Sequence, residues 1–209
     1  MRRLIVSSTD PEAAAIEAAA EAIRRGGLVG FPTDTLYGIA ADPFNPEAVR
    51  RVCTLKGRRA GQPLPLVAAD TAQVEAAVGP LSDVGRVLAA EFWPGPLTLL
   101  LRAPNGLAAE ISAGTGRVGV RVPAHPVPRA LCARAASLLT ATSANRSGEP
   151  PSDDADGVAQ SIGPGLDVLI DGGPTPGGLP STIIDVSEMR LVRAGAVPWE
   201  KIDACLRRS

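Results

Sequence analysis

Aromatic side chains are nearly absent: Phe, Trp and Tyr make up 3% of the 209 residues. The core must therefore be built from Ala, Val, Leu and Ile, and a platform stacking many bases is excluded. There is one histidine, His125, between Ala124 and Pro126, with no nearby Ser or Cys to pair with, which argues against a Ser–His triad or a His-rich metal site. The three cysteines, Cys53, Cys132 and Cys205, are odd in number and widely spaced, so neither a disulfide framework nor a CxxC metal site is expected. No apolar run approaches the ~18 residues of a membrane span, and MRRLIVSSTD carries only three consecutive apolar residues, short of a signal peptide. A soluble cytoplasmic chain with no membrane contact is expected. GxxxxGK[ST] is missing, which excludes a P-loop, and the formal GxGxxG at Gly114–Gly119 precedes an apolar run where a dinucleotide fingerprint must follow one; a Gly-rich turn is predicted there.

With 45% hydrophobic and 21% charged residues, the chain can bury a sizeable core, and residues 1–209 read as a single domain. Asp10-Pro11-Glu12 carries helix-start chemistry for a helix over 11–25, stopped by Gly26-Gly27 before a buried strand at 28–31. Asn45-Pro46-Glu47 opens a helix ending near Lys56. Strands are predicted at 64–69, 97–102, 117–122, 138–142, 167–171, 181–186 and 190–193. Helices are predicted at 71–78, 82–92, 126–136, from Ser152-Asp153-Asp154 to about 161, and at 199–206. Alternating helices and strands make this α/β. GGPTPGGLP at 172–180 reads as a loop.

The chemistry-bearing segments lie at the ends of these elements. FPTDTLYG (31–38) is a hydroxyl-rich turn, KGR (56–58) a basic hook, and SANRSG (143–148) a second polar turn. The stretch Arg50–Ala69 carries Arg50, Arg51, Lys56, Arg58 and Arg59 and no acid. In a chain of net charge −1, that imbalance points to a bound polyphosphate, while the overall charge argues against a dedicated nucleic-acid binder. Asp34 reads as a turn cap more readily than as a magnesium contact.

These segments resemble the YrdC/Sua5 family, the threonylcarbamoyl-AMP synthases. The resemblance rests on PTDTLYG, KxR at Lys56–Arg58, WPGPLTL (93–99), VGVRVPAHP (118–126), SANRSG, DGGP (171–174), STIID (181–185) and LVRAGAV (191–197). It implies a twisted mixed sheet flanked by helices around a large basic cavity, and synthesis of L-threonylcarbamoyl-AMP and pyrophosphate from L-threonine, bicarbonate and ATP with Mg²⁺. The product would pass to a tRNA threonylcarbamoyl-transfer complex for N6-threonylcarbamoyladenosine at position 37. Carried over by position, Thr35, Arg121, Ala141 and Ser181 surround the threonine. Arg58, Gln62, Ser143 and Arg193 hold ATP. Lys56 and Asn145 line the phosphate region, with Lys56 and Arg58 as the catalytic cations. Arg59, Gln62, Val67, Arg117 and Pro151 depart from the family pattern, and those at Gln62, Val67 and Arg117 leave room for a carbamoyl-adenylate-forming relative with another acceptor. A non-catalytic module with weak RNA binding is the alternative from another class.

Overall fold

The computed structural model describes residues 1–59 and 61–208; Ala60 and Ser209 lie outside the described residues. The chain runs β1 (Arg2–Ile5), α1 (Ala13–Arg24), β2 (Val29–Phe31), β3 (Gly38–Ala40), α2 (Pro46–Lys56), β4 (Leu66–Val67), α3 (Thr71–Val78) and α4 (Asp83–Phe92). It continues through β5 (Leu97–Arg102), α5 (Ala109–Ser112), β6 (Arg117–Arg121), α6 (Pro126–Ala135), β7 (Leu139–Thr140), β8 (Thr142–Ser143) and α7 (Ala155–Ser161). It closes with β9 (Val168–Asp171), β10 (Thr182–Asp185), β11 (Arg190–Arg193) and α8 (Trp199–Arg207). No helix among the described residues is long and apolar enough to cross a membrane.

Capping residues set most helix starts. Asn45 Oδ1 accepts from the backbone N–H groups of Glu47 and Ala48 at 3.0 and 3.2 Å, and Pro46 follows it. Asp70, Ser82 and Asp154 cap α3, α4 and α7 in the same way. His125 is a cap too: its Nδ1 accepts from Val127 N at 3.2 Å. That role requires the neutral imidazole, and burial lowers the His125 pKa while Asp34 pulls it the other way. The start of α1 differs from the expectation. Ser7 Oγ accepts from the Asp10 N–H and Glu12 Oε2 accepts from the Ser7 N–H, so the chain stays turned through Pro11 and the first helical carbonyl is that of Glu12.

The strands divide between two mixed sheets, in the orders β1-β9-β2-β3-β8 and β11-β10-β5-β6-β4-β7. The expected strand at 64–69 contracts to Leu66–Val67, because Pro63 and Pro65 have no N–H to give a ladder. The expected strand at 138–142 splits at Ala141. On one side β7 pairs antiparallel with β4, and on the other β8 pairs antiparallel with β3, so the chain changes sheets at this residue. β1, β3 and α5 were not anticipated; β1 is a largely exposed strand paired in parallel with β9, with no alternation to read.

The main apolar cluster fills the space around β5 and β6, and a second one lies beneath α1 and α6. Ala19 and Ala20 of α1 are fully buried, and α1 packs on α6 through such small side chains. Leu99 sits at the centre of β5, opposite Ile184 of β10 and Val120 of β6, and is fully buried. Leu99→Ala is expected to cost about 2–5 kcal/mol in urea unfolding, as truncation in a core that cannot collapse does. A loss below about 1 kcal/mol would contradict this placement.

Candidate active site

Strands of both sheets line one cavity of about 900 Å³. Gly38 and Ser143 come from the first sheet, and Leu66, Thr98, Gly119, Arg121 and Ile183 from the second. Its volume lies at the upper end of the ~300–1,000 Å³ of small-molecule sites.

Of the ten residues expected to form the site, Thr35, Arg58, Gln62, Arg121, Ala141, Ser143, Ser181 and Arg193 line this cavity. Lys56 and Asn145 do not line it: Lys56 stands behind the SANRSG turn, and the Asn145 side chain is folded into that turn. Lys56 is 3% exposed. Its Nζ donates to the carbonyl oxygens of Ser143 and Asn145, the latter at 2.8 Å, and the Ser147 N–H donates back to the Lys56 carbonyl at 2.7 Å. Asn145 Nδ2 donates to the carbonyls of Arg146 and Glu149, which folds the turn on itself. The reason is geometric: Lys56 is the last residue of α2, Gly57 takes a left-handed φ of 60°, and the chain reverses there, so that Arg58 and not Lys56 faces the cavity.

Arg58 is half-buried and donates to the carbonyls of Gln62 and Pro63, at 3.2 and 2.7 Å, which shapes the loop over that wall. Elsewhere along the lining Arg193 donates to the Ser181 carbonyl at 2.7 Å and to Ser181 Oγ at 3.2 Å. Ser181 Oγ also meets Thr98 Oγ1 at 2.8 Å. Gly195 allows the segment after β11 to run against this wall, because a Cβ there would stand 2.2 Å from the Pro180 carbonyl. In the PTDTLYG turn, Thr33 Oγ1 donates to the Leu36 carbonyl and accepts from the Thr35 N–H. Its single proton is thus spent, and Thr35 is the donor in the 3.1 Å contact between the two hydroxyls. Thr33, not Asp34, caps this turn, which corrects the expectation for Asp34.

Five arginines and two carboxylates face the cavity: Arg58, Arg117, Arg121, Arg190 and Arg193 against Asp185 and Glu188. The acids are already engaged. Asp185, 2% exposed, pairs with Arg117, and Glu188 with Arg190 at 3.2 Å. Burial alone would raise the Asp185 pKa, but hydrogen bonds from the Ser187 hydroxyl, Arg117 and the Ser187 and Glu188 N–H groups outweigh it and hold the carboxylate below its usual range. Arg117, one of the departures from the family pattern, is therefore neutralised where it stands. Arg58 and Arg193 make no ion pair among the described residues, and they are the free positive charge of the site. Thr98, Asp185 and Arg190 were missed in sequence; a lone polar residue inside LTLLLR and a lone acid closing STIID were the available signals.

The Pro/Gly-rich loop is tethered more tightly than its composition implies. Tyr37 Oη donates to the Gly173 carbonyl at 2.7 Å, the Thr175 N–H to the Asp153 carbonyl at 2.7 Å, and the Ala196 N–H to the Pro180 carbonyl at 2.9 Å. Burial, with Asp171 adding to it, pushes the Tyr37 pKa up to about 12, so this phenol stays a donor. Gly178 and Pro180 border the cavity between these tethers.

The sequence model of the Sua5/YciO/YrdC family, described as "Telomere recombination", matches residues 21–195. Threonylcarbamoyl-AMP synthase of Bacillus subtilis is 36% identical over 204 residues, 96% of this chain and 58% of that protein. Threonylcarbamoyl-AMP synthase of Thiobacillus denitrificans is 38% identical over 172 residues, 82% of this chain and 91% of that protein. The crystal structure of P. abyssi Sua5 complexed with L-threonine superposes with a TM-score of 0.93 at 36% identity, covering 99% of this chain and 61% of that one. The chain thus spans less than two thirds of two of these relatives and nearly all of the third.

Lys56 generates a pH prediction. Burial, reinforced by the neighbouring charge of Arg58, lowers its pKa from 10.5 to about 8. Between those values the unfolded chain binds the proton that the native chain has released, so stability rises with pH across this window. The urea midpoint of the wild type is expected to climb from pH 8 to 10 relative to that of Lys56→Met; parallel curves for the two proteins would contradict the assignment.

Proposed function

The chain belongs to the Sua5/YciO/YrdC family, and from that premise we propose that it is an L-threonylcarbamoyl-AMP synthase. One observation carries the reading: the PTDTLYG, KGR, VGVR, SANRSG and STIID segments, distant in sequence, converge on one cavity with unpaired arginine charge. In the proposed reaction the amine of L-threonine and bicarbonate form a carbamate with loss of water. A carbamate oxygen then attacks the α-phosphorus of ATP, releasing pyrophosphate. The product serves a tRNA threonylcarbamoyl-transfer system in the cytoplasm.

The reacting partners are both anions, repelling by ~4 kcal/mol at 4 Å for an effective dielectric of 20. Arg58 and Arg193 supply the opposing charge from the cavity lining. Their fixed hydrogen bonds to backbone carbonyls keep them in place, so little reorganisation is needed as charge develops. Arg121 receives the amino-acid carboxylate, Ser181 and Thr35 bond its hydroxyl, and Ala141 leaves room for its methyl group. Lys56 and Asn145 act on the phosphates through the shape of the Ser143 turn. No protein nucleophile is required, and catalysis is positioning plus electrostatics. The described residues hold no cluster of three or more His, Cys, Asp or Glu for a metal ion, and the Asp185 carboxylate is spent on Arg117, so magnesium is taken to enter with the nucleotide as Mg·ATP.

Purified protein given ATP, Mg²⁺, bicarbonate and L-threonine is expected to release pyrophosphate in proportion to threonylcarbamoyl-AMP identified by mass. Pyrophosphate release that ignores threonine and bicarbonate, or RNA binding with no turnover, would overturn the reading. Arg58→Ala is expected to lower kcat by about 10²-fold or more, the scale of removing one fixed donor from a developing charge.

A further inference from the structure

Behind the cavity wall lies a pair of charges with unfinished bonding. Asp34 Oδ1 stands 3.2 Å from Arg121 Nη1, with the Asp34 and Arg121 side chains 13% and 9% exposed. Both Asp34 oxygens and Arg121 Nη1 are buried and have no hydrogen-bond partner among the described residues. The neighbouring hydroxyls do not relieve this, since those of Thr33 and Thr35 are engaged with each other and with the turn backbone. Most buried ion pairs are completed by hydrogen bonds, because desolvating two charges is otherwise unfavourable. This contact supplies Coulomb attraction and leaves the donor fork of the guanidinium uncommitted.

Arg121 lines the cavity together with Thr35, Ala141 and Ser181, while Asp34 is not part of the lining. A carboxylate bonded in bidentate fashion would occupy the arginine; one held at contact distance keeps it charged and in place. We propose that Asp34 is the positioning residue for Arg121, holding its guanidinium ready for the carboxylate of an α-amino acid without consuming its donors. This rests on the amino-acid reading of the cavity given above. Without Asp34, a 7%-exposed arginine has no carboxylate beside it among the described residues and turns toward the water in the cavity, away from the substrate position.

The test compares Asp34→Asn, which keeps the shape and removes the charge, with Asp34→Glu, which restores the charge at a different length. Ligands are L-threonine, L-threoninol, which lacks the carboxylate, and ATP, with binding followed by calorimetry and steady-state kinetics. Asp34→Asn is expected to weaken L-threonine binding about tenfold or more, the scale of breaking a desolvated charge pair. Affinities for L-threoninol and ATP should stay within about twofold, KM for threonine should rise far more than kcat falls, and Asp34→Glu should recover part of the loss. Unchanged threonine affinity, or an equal loss for all three ligands, would overturn the proposal. If Asp34→Asn does not fold, the KM of Asp34→Glu decides: a threonine KM unmoved by displacing the carboxylate counts against it. Should the wild type bind another α-amino acid and not L-threonine, the substrate assignment falls alone and the Asn comparison is read with that amino acid. If it binds none, both fall.

Discussion

A buried ammonium with no carboxylate partner among the described residues organises one half of the cavity. Lys56 is donated to backbone carbonyls of the SANRSG turn, so the C-terminal end of α2 and that turn cannot move independently. Removing a lysine from water is unfavourable unless its protons find acceptors. The carbonyls of Ser143 and Asn145 are where they are because they meet that demand. This contact ties the end of α2, from which Arg58 follows, to the wall formed by Ser143.

The same economy of charge runs around the cavity. Arginines outnumber carboxylates, yet Arg117 and Arg190 are matched by Asp185 and Glu188, and Arg121 is backed by Asp34. Arg58 and Arg193 remain, each held by backbone carbonyls that fix a guanidinium without neutralising it. In a chain whose net charge is only −1, the positive charge at this cavity is local and oriented.

The helices were legible because their starts are local events. Asn45, Asp154 and the Pro46 that follows Asn45 act within one turn of themselves, and the structure has them in those roles. Local reasoning failed where a neighbour distant in sequence competes. Asp10 lost the start of α1 to the turn around Ser7 and Glu12, β1 pairs only with the distant β9, and β3 is held between its neighbour β2 and the distant β8. His125 shows both sides: the absence of a nearby nucleophile was readable, whereas its use as a cap depended on the helix that follows Pro126.

By itself the sequence determined the α/β class, the family and most of the residues that meet at the cavity, since these follow from short-range patterns and ordered motifs. Only the tertiary structure decided which of those residues face the ligand. Lys56 and Arg58 are two positions apart and indistinguishable as cations on paper, but the left-handed turn at Gly57 sends one into the protein and the other into the cavity. Ala141 reads as part of a continuous strand, but the two sheets claim the residues on either side of it, and the site opens at that crossing. Asp34 reads as a turn residue until Arg121, 87 positions away, is brought to 3.2 Å. Side-chain direction and charge pairing are set by contacts across the fold, which residue order does not specify.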